Sequence, residues 1–138
     1  NVTKIYVPEG YNFAHLLQVF GKYNYLADHQ KYKNNYDYNL ALHLLNKRRY
    51  MSNESLLLVE DASFFSPISQ LHYELYRDEN ELRRSLQESE SIQCIVSRRD
   101  TAFGNGQCPD ICDYADGVDT MQFLLHLHEE KKYENLSK

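Results

Sequence analysis

Cys108 and Cys112 flank Pro109 with three residues between them, in a loop rich in Gly, Pro and Asp, an arrangement from which a thiolate nucleophile or a pair of zinc ligands is built. A tetrahedral zinc site needs four ligands. The remaining cysteine, Cys94, lies in a segment of strand character, and no paired histidine motif accompanies it, so free thiols are expected and no metal. Cys108 alone is the sharper rival, because a polar, glycine-rich loop can leave a thiol exposed to act as a nucleophile. No histidine stands at a spacing that assigns it a base.

His15, His29, His43, His72, His126 and His128 carry the other imidazole chemistry, and each is expected at a helix or strand surface. His126 and His128 share a face only on a strand, whereas their segment reads as helix. Residues 31–39 interleave Lys, Tyr and Asn, a mixture suited to base stacking or coenzyme contact, but twelve tyrosines in the chain make a half-buried helix face the expected role. The acidic cluster Asp110 to Asp119 lacks EF-hand spacing and is expected to cap turns and the last helix.

The elements that must position these groups follow from hydrophobic period. Lys4 to Val7 is β-rich and halted by Pro8-Glu9-Gly10, so it reads as a strand. Asn12 caps a helix carrying Phe13, Leu16, Leu17 and Phe20 on one face, ended by Gly21. From Asp28 to Arg49, Tyr32, Tyr36, Leu40 and Leu44 repeat at i,i+4, with Tyr38, Leu42 and Leu45 as an adjoining stripe, predicting a long amphipathic helix. A turn is expected at 52–54, strands over 55–60 and 68–76, a helix capped by Asp78 with Glu81 and carrying Leu82 and Leu86, and a further strand over 91–98. A loop spans 100–119, and a helix runs from Thr120 to Tyr133. The order predicts an α/β fold, a sheet flanked by helices with a right-handed crossover.

Composition sets the outer bounds. At 138 residues, 42% hydrophobic and 25% charged, the chain has the size and make-up of a single globular domain over 1–138. A net charge of -5 argues against nucleic acid as a general partner, since phosphate affinity rests on Lys and Arg. The longest apolar runs fall far short of the ~20 residues of a membrane span. Three cysteines point to a reducing, cytoplasmic setting, while Asn-x-Ser/Thr sequons at Asn1, Asn53 and Asn135 pull toward secretion. A start at Asn1 without Met reads as an engineered or proteolytic boundary.

Ser63-Phe64-Phe65-Ser66-Pro67-Ile68, then a strand, the helix after Asp78 and Ile92-Gln93-Cys94-Ile95-Val96-Ser97, form one block that resembles the last third of the aldehyde-dehydrogenase catalytic domain. There a Glu-x-Phe-Gly-Pro stretch precedes a strand, an acidic helix and a second strand, with a Phe-Gly-Gly loop later. Phe65-Ser66-Pro67 stands at the first motif and Phe103-Gly104-Asn105-Gly106 at the second. The loop through Cys108-Pro109 to Asp119-Thr120-Met121 is similar to the long-chain fatty acyl reductase branch, the acyl-CoA reductases.

The resemblance implies reduction of an acyl thioester, carried on coenzyme A or a protein, to an aldehyde by NADPH or NADH through a cysteine thioester. It places the nucleophile and the dinucleotide fold upstream of Asn1, so the chain alone is expected to carry no catalytic residue, to hold no cofactor and to be inactive. Phe65 matches the Phe flanking the nicotinamide ribose. The ribose-binding acid is Ser63 here, which leaves Glu60 or Asp61 as substitutes. Relatives commonly pair through this domain, so a homo-oligomer is possible. Two rivals stand beside it: a non-catalytic interaction or oligomerisation domain, and a small thiol enzyme using Cys108.

Overall fold

Strand β1 (Lys4–Pro8) ends in a turn closed by Tyr11 N–H to Pro8 O at 3.1 Å, with Gly10 at φ 77°, a backbone that favours glycine. The computed structural model describes residues 2–89, 91–111, 113–114 and 118–127. Two compact units result, Asn1–Glu88 and Ser89–Lys138. Every buried apolar residue among those described belongs to the first.

In that first unit Asn12 caps α1 (Phe13–Phe20) by accepting from Ala14 N–H, as expected. The backbone does not stop at Gly21. It tightens into a 3₁₀ helix (Gly21–Asp28) before α2 (Gln30–Leu45) begins. Two-residue β2 (Met51–Ser52), β3 (Leu57–Glu60), β4 (Gln70–Tyr76) and α3 (Glu79–Gln87) follow, α3 capped by Asp78 through Asn80 N–H.

The strands form one mixed sheet in the order β1-β4-β3-β2, with β4 parallel to both β1 and β3 and β2 antiparallel at the edge. The fold is thus α/β. Register sorts the side chains. Lys4, His72 and Val59 stand abreast on one face with Leu57 and Gln70, while Leu58, Glu60, Leu71 and Tyr73 stand on the other. On the first face α2 closes the core, with Tyr36 packed on Leu57 and Val59 and flanked by Leu40 and Tyr50. On the second, Phe13 of α1 meets Tyr73 ring to ring at 4.5 Å.

The inward stripe of α2 differs from the one its leucines suggest. Tyr36, Asn39 and His43 are its buried residues, whereas Leu44 and Leu45 face out, Leu45 at 79% exposure. The reason is local: Asn39 Nδ2 donates to Ile68 O at 3.1 Å and His43 Nε2 bonds Gln70 Oε1 at 3.0 Å, so this end of the helix packs on polar partners.

Helix α2 ends in a Schellman arrangement, with Arg48 N–H on His43 O at 3.0 Å and Lys47 N–H on Leu44 O at 3.2 Å. Lys47 takes the left-handed position, φ 53°. Replacing Lys47 with glycine removes that strain and is expected to raise the unfolding free energy by about 0.5–1 kcal/mol, read from urea midpoints. A fall in stability would show that the lysine side chain contributes more than its backbone costs.

The second unit overturns one expectation. Residues 91–98 form no strand; a single isolated bridge, Val96 to Thr101, closes a turn in which Ser97 Oγ bonds Asp100 at 2.5 Å. The alternation of Ile92, Cys94 and Val96 finds no neighbouring strand there, and strand preference without a partner does not make a ladder. Residues 120–127 are helical, with Asp119 Oδ1 accepting from Gln122 N–H at 2.9 Å at its start. The rest of that expected helix, with His128, lies outside the described residues.

Candidate functional site

The parallel step from β3 to β4 normally needs about a dozen residues or more and a helix. Here residues 61–69 make it without one, lying across the Lys4–His72 face of the sheet. Three successive carbonyls of this crossover are each taken by a side chain. Lys4 Nζ donates to Ala62 O at 2.7 Å, His72 Nδ1 to Ser63 O at 3.1 Å and Thr3 Oγ1 to Phe64 O at 2.7 Å. Lys4, with a side chain only 4% exposed, also pairs with Glu74 and lies against the rings of Tyr6 and Phe64. Side chains do here what a helix backbone would otherwise do.

Between this crossover, the C-terminal half of α2 and the start of β4 lies a cavity of about 360 Å³. Asn39 and His43 reach it from α2, Gln70 and His72 from β4, Arg48 from the Schellman end, and Asp61 and Phe65 from the crossover. Phe65 stands at its rim, 67% exposed. Arg48 Nη2 meets Asp61 Oδ2 at 3.0 Å, while the other carboxylate oxygen accepts from Ser63 N–H at 2.9 Å.

The Ser63 N–H, and after it Arg48, holds the Asp61 carboxyl below its ordinary range against the opposing effect of burial. A folded pKa below the unfolded one means stability that is complete above the unfolded value of about 3.9 and lost as pH falls through the lower folded value. Acid is therefore expected to loosen the crossover, seen as a drop in urea midpoint between about pH 5 and about pH 3 that shrinks in Asp61→Asn. An unchanged drop in that variant would remove Asp61 from the cause.

Of the residues singled out in the sequence, Phe65 and Asp61 come together at this cavity. Glu60 does not. It points to the opposite face, beside Tyr73, whose hydroxyl is pushed up by burial first and by the hydrogen-bonded Glu60 carboxylate next. His43 and His72, expected at surfaces, are buried at 5% and 6% exposure, while His15, His29 and His126 are exposed. No local period marks a buried imidazole; only the tertiary neighbours reveal it.

The other candidates resolve as structure. Tyr32 OH donates to Ser55 O at 2.8 Å and Tyr36 OH lies 2.7 Å from Ser52 Oγ, so these two tyrosines tie α2 to β2 and the β2–β3 turn, while Tyr38 faces out. Asn53 of the central sequon closes that turn, its Oδ1 accepting from Leu56 N–H at 2.9 Å. In the second unit Cys94 and Cys108 are free, exposed thiols, Cys112 lies outside the described residues, and no group able to hold a metal occurs among those described. Among the described residues no helix is long and apolar enough to cross a membrane.

Comparison with protein-family models, with curated proteins and with solved structures finds no match to this chain.

Proposed function

We propose that this chain is the C-terminal part of the catalytic domain of an NAD(P)H-dependent acyl thioester reductase, which makes an aldehyde from an acyl-CoA or acyl-protein in the cytoplasm. The observation that carries the reading is Phe65, an exposed aromatic ring at the rim of a polar cavity, on a crossover that leads into a central parallel strand. Such a ring suits the flat face of a nicotinamide ribose, and Asp61, not Glu60, is the acid beside it. The cofactor supplies a hydride.

In this reading a cysteine upstream of Asn1 attacks the acyl carbonyl, the coenzyme or carrier thiol leaves, and a thioester bond to the protein forms. NAD(P)H, its ribose held against Phe65 and Asp61, would supply the hydride that reduces that thioester carbonyl, releasing the aldehyde, the cysteine thiolate and NAD(P)+. This chain contributes the wall that holds the cofactor's sugar and no reacting atom.

The purified chain, given an acyl-CoA and NADPH, is expected to show no loss of NADPH absorbance. A chain extended upstream by about a domain length is expected to gain a reactive cysteine, NADPH binding and turnover. Turnover by the short chain, or an extension with neither cysteine reactivity nor NADPH binding, overturns the reading.

A second reading, a non-catalytic oligomerisation domain, is favoured by the outward Tyr38, Leu44 and Leu45 of α2. It predicts self-association of the extended chain without NADPH binding. Rapid, selective alkylation of Cys108 would instead favour a small thiol enzyme.

A further inference from the structure

Asn105 and Gly106 stand next to one another in an exposed loop of the second unit. Two turns meet at Asn105: its N–H reaches Ala102 O at 3.0 Å, with Gly104 between them at φ 93°, and its own carbonyl accepts from Cys108 N–H at 2.9 Å. The main chain is held on both sides. Neither the Asn105 carboxamide nor the Gly106 N–H, however, has a hydrogen-bond partner among the described residues.

Elsewhere asparagine side chains are tied down. Every described asparagine from Asn12 to Asn53 has its carboxamide in a hydrogen bond. Asn80 lies in the first turn of α3, whose fixed ψ keeps the next backbone nitrogen away from the side-chain carbonyl, and Glu81 follows it. Only Asn105 is followed by glycine, which has no Cβ to hinder the approach of its nitrogen to the Asn105 Cγ.

We propose that Asn105 is a self-modification site, converted by water alone to aspartate and isoaspartate through a succinimide closed with Gly106. The Gly106 nitrogen gives its proton to solvent and bonds to the Asn105 Cγ; the carboxamide C–N bond breaks and ammonia leaves. Water then opens the ring. Opening at Cγ leaves aspartate, and opening at the former backbone carbonyl leaves isoaspartate, with the main chain rerouted through Cβ and Cγ. Either product adds one negative charge to a chain whose net charge is already -5. In the isoaspartyl form the carbonyl that accepts from Cys108 N–H leaves the main chain and becomes a carboxylate, so the second turn opens. This chemistry belongs to the second unit and is independent of the reductase reading.

The whole folded chain is kept in neutral buffer, and samples taken over days are cut with trypsin and read by fragmentation mass spectrometry that separates aspartate from isoaspartate. Replacement of NH by O is expected first at Asn105, with isoaspartate the larger product, while the asparagines from 12 to 53 stay intact. Conversion of Asn105 in the folded chain is expected within about tenfold of its rate in urea, because nothing in the loop ties down the reacting pair. A wider gap would show that the turns block the reaction and overturns the proposal, as does earlier conversion of any asparagine from 12 to 53. Asn105→Gln keeps the carboxamide but lengthens the ring it must close, so it is expected to remain unmodified over the same period. Aspartate without isoaspartate in the parent chain, or conversion of that variant at the parent rate, would mean hydrolysis without Gly106 and sinks the idea.

Discussion

Replacing Leu57 with alanine is expected to lower the unfolding free energy by about 2–5 kcal/mol. Leu57 is fully buried, at 0% exposure, in β3, the strand bonded to β4 on one side and β2 on the other, and it packs beneath Tyr36 of α2. Its loss opens a cavity where the sheet and α2 meet, and the strand ladder on both sides prevents the walls from closing over it. Leu45→Ala serves as the comparison. That side chain faces solvent, so its removal is expected to stay within about 0.5 kcal/mol. Urea denaturation followed by circular dichroism measures both, and a Leu57 variant within about 1 kcal/mol of the parent would mean that the core lies elsewhere.

Lys4→Met is expected to cost about 1–3 kcal/mol and to loosen the crossover. Methionine keeps most of the buried stem but removes the donor to Ala62 O and the partner of Glu74. The carbonyl is then left unmet beneath Phe64. Glu74 is half-exposed and rehydrates, which keeps the loss below the 3–5 kcal/mol of about the worst broken buried pairs. Hydrogen exchange separates this from a general weakening: amides of 62–65 are expected to lose protection while those of α3 do not. Uniform loss across the sheet and helices would mean that Lys4 supports the fold as a whole and not the crossover.

Much of the scaffold is legible in the sequence where one residue type decides a local event. Asn12 and Asp78 begin their helices by accepting backbone N–H groups, a β-branched and aromatic run marks β1, a continuous apolar run marks β3, and alternation marks β4. What escaped detection depends on distant partners. β2 is two residues long and exists because Met51 and Ser52 pair with Leu58 and Leu57. The 3₁₀ helix at 21–28 has no apolar period to announce it. Residues 91–98 have strand composition and no neighbour to pair with, so they form a turn.

The site divides along the same line. Phe65 stands out through the Phe65-Ser66-Pro67 stretch and Asp61 only as one of two substitutes for the acid that Ser63 replaces; both reach the cavity, and the other substitute, Glu60, does not. Asn39 and His43 on α2 and His72 on β4 give no signal, because a polar residue in a helix or a strand reads as solvent-facing until the partners that bury it are known. Ile68 O and Gln70, which draw α2 down with its polar side inward, lie well beyond any helical window from it.

The strand order also sets a timetable for synthesis. β1 and β3 never touch; each pairs with β4, the last of the four to be translated. Among the described strands, β1 must wait through some seventy residues of later sequence before its neighbour β4 arrives to slide between the two waiting strands. A nascent chain stalled before Gln70 holds its helices and the short β2–β3 ribbon but no sheet, and is at its most vulnerable to proteases and self-association in that interval.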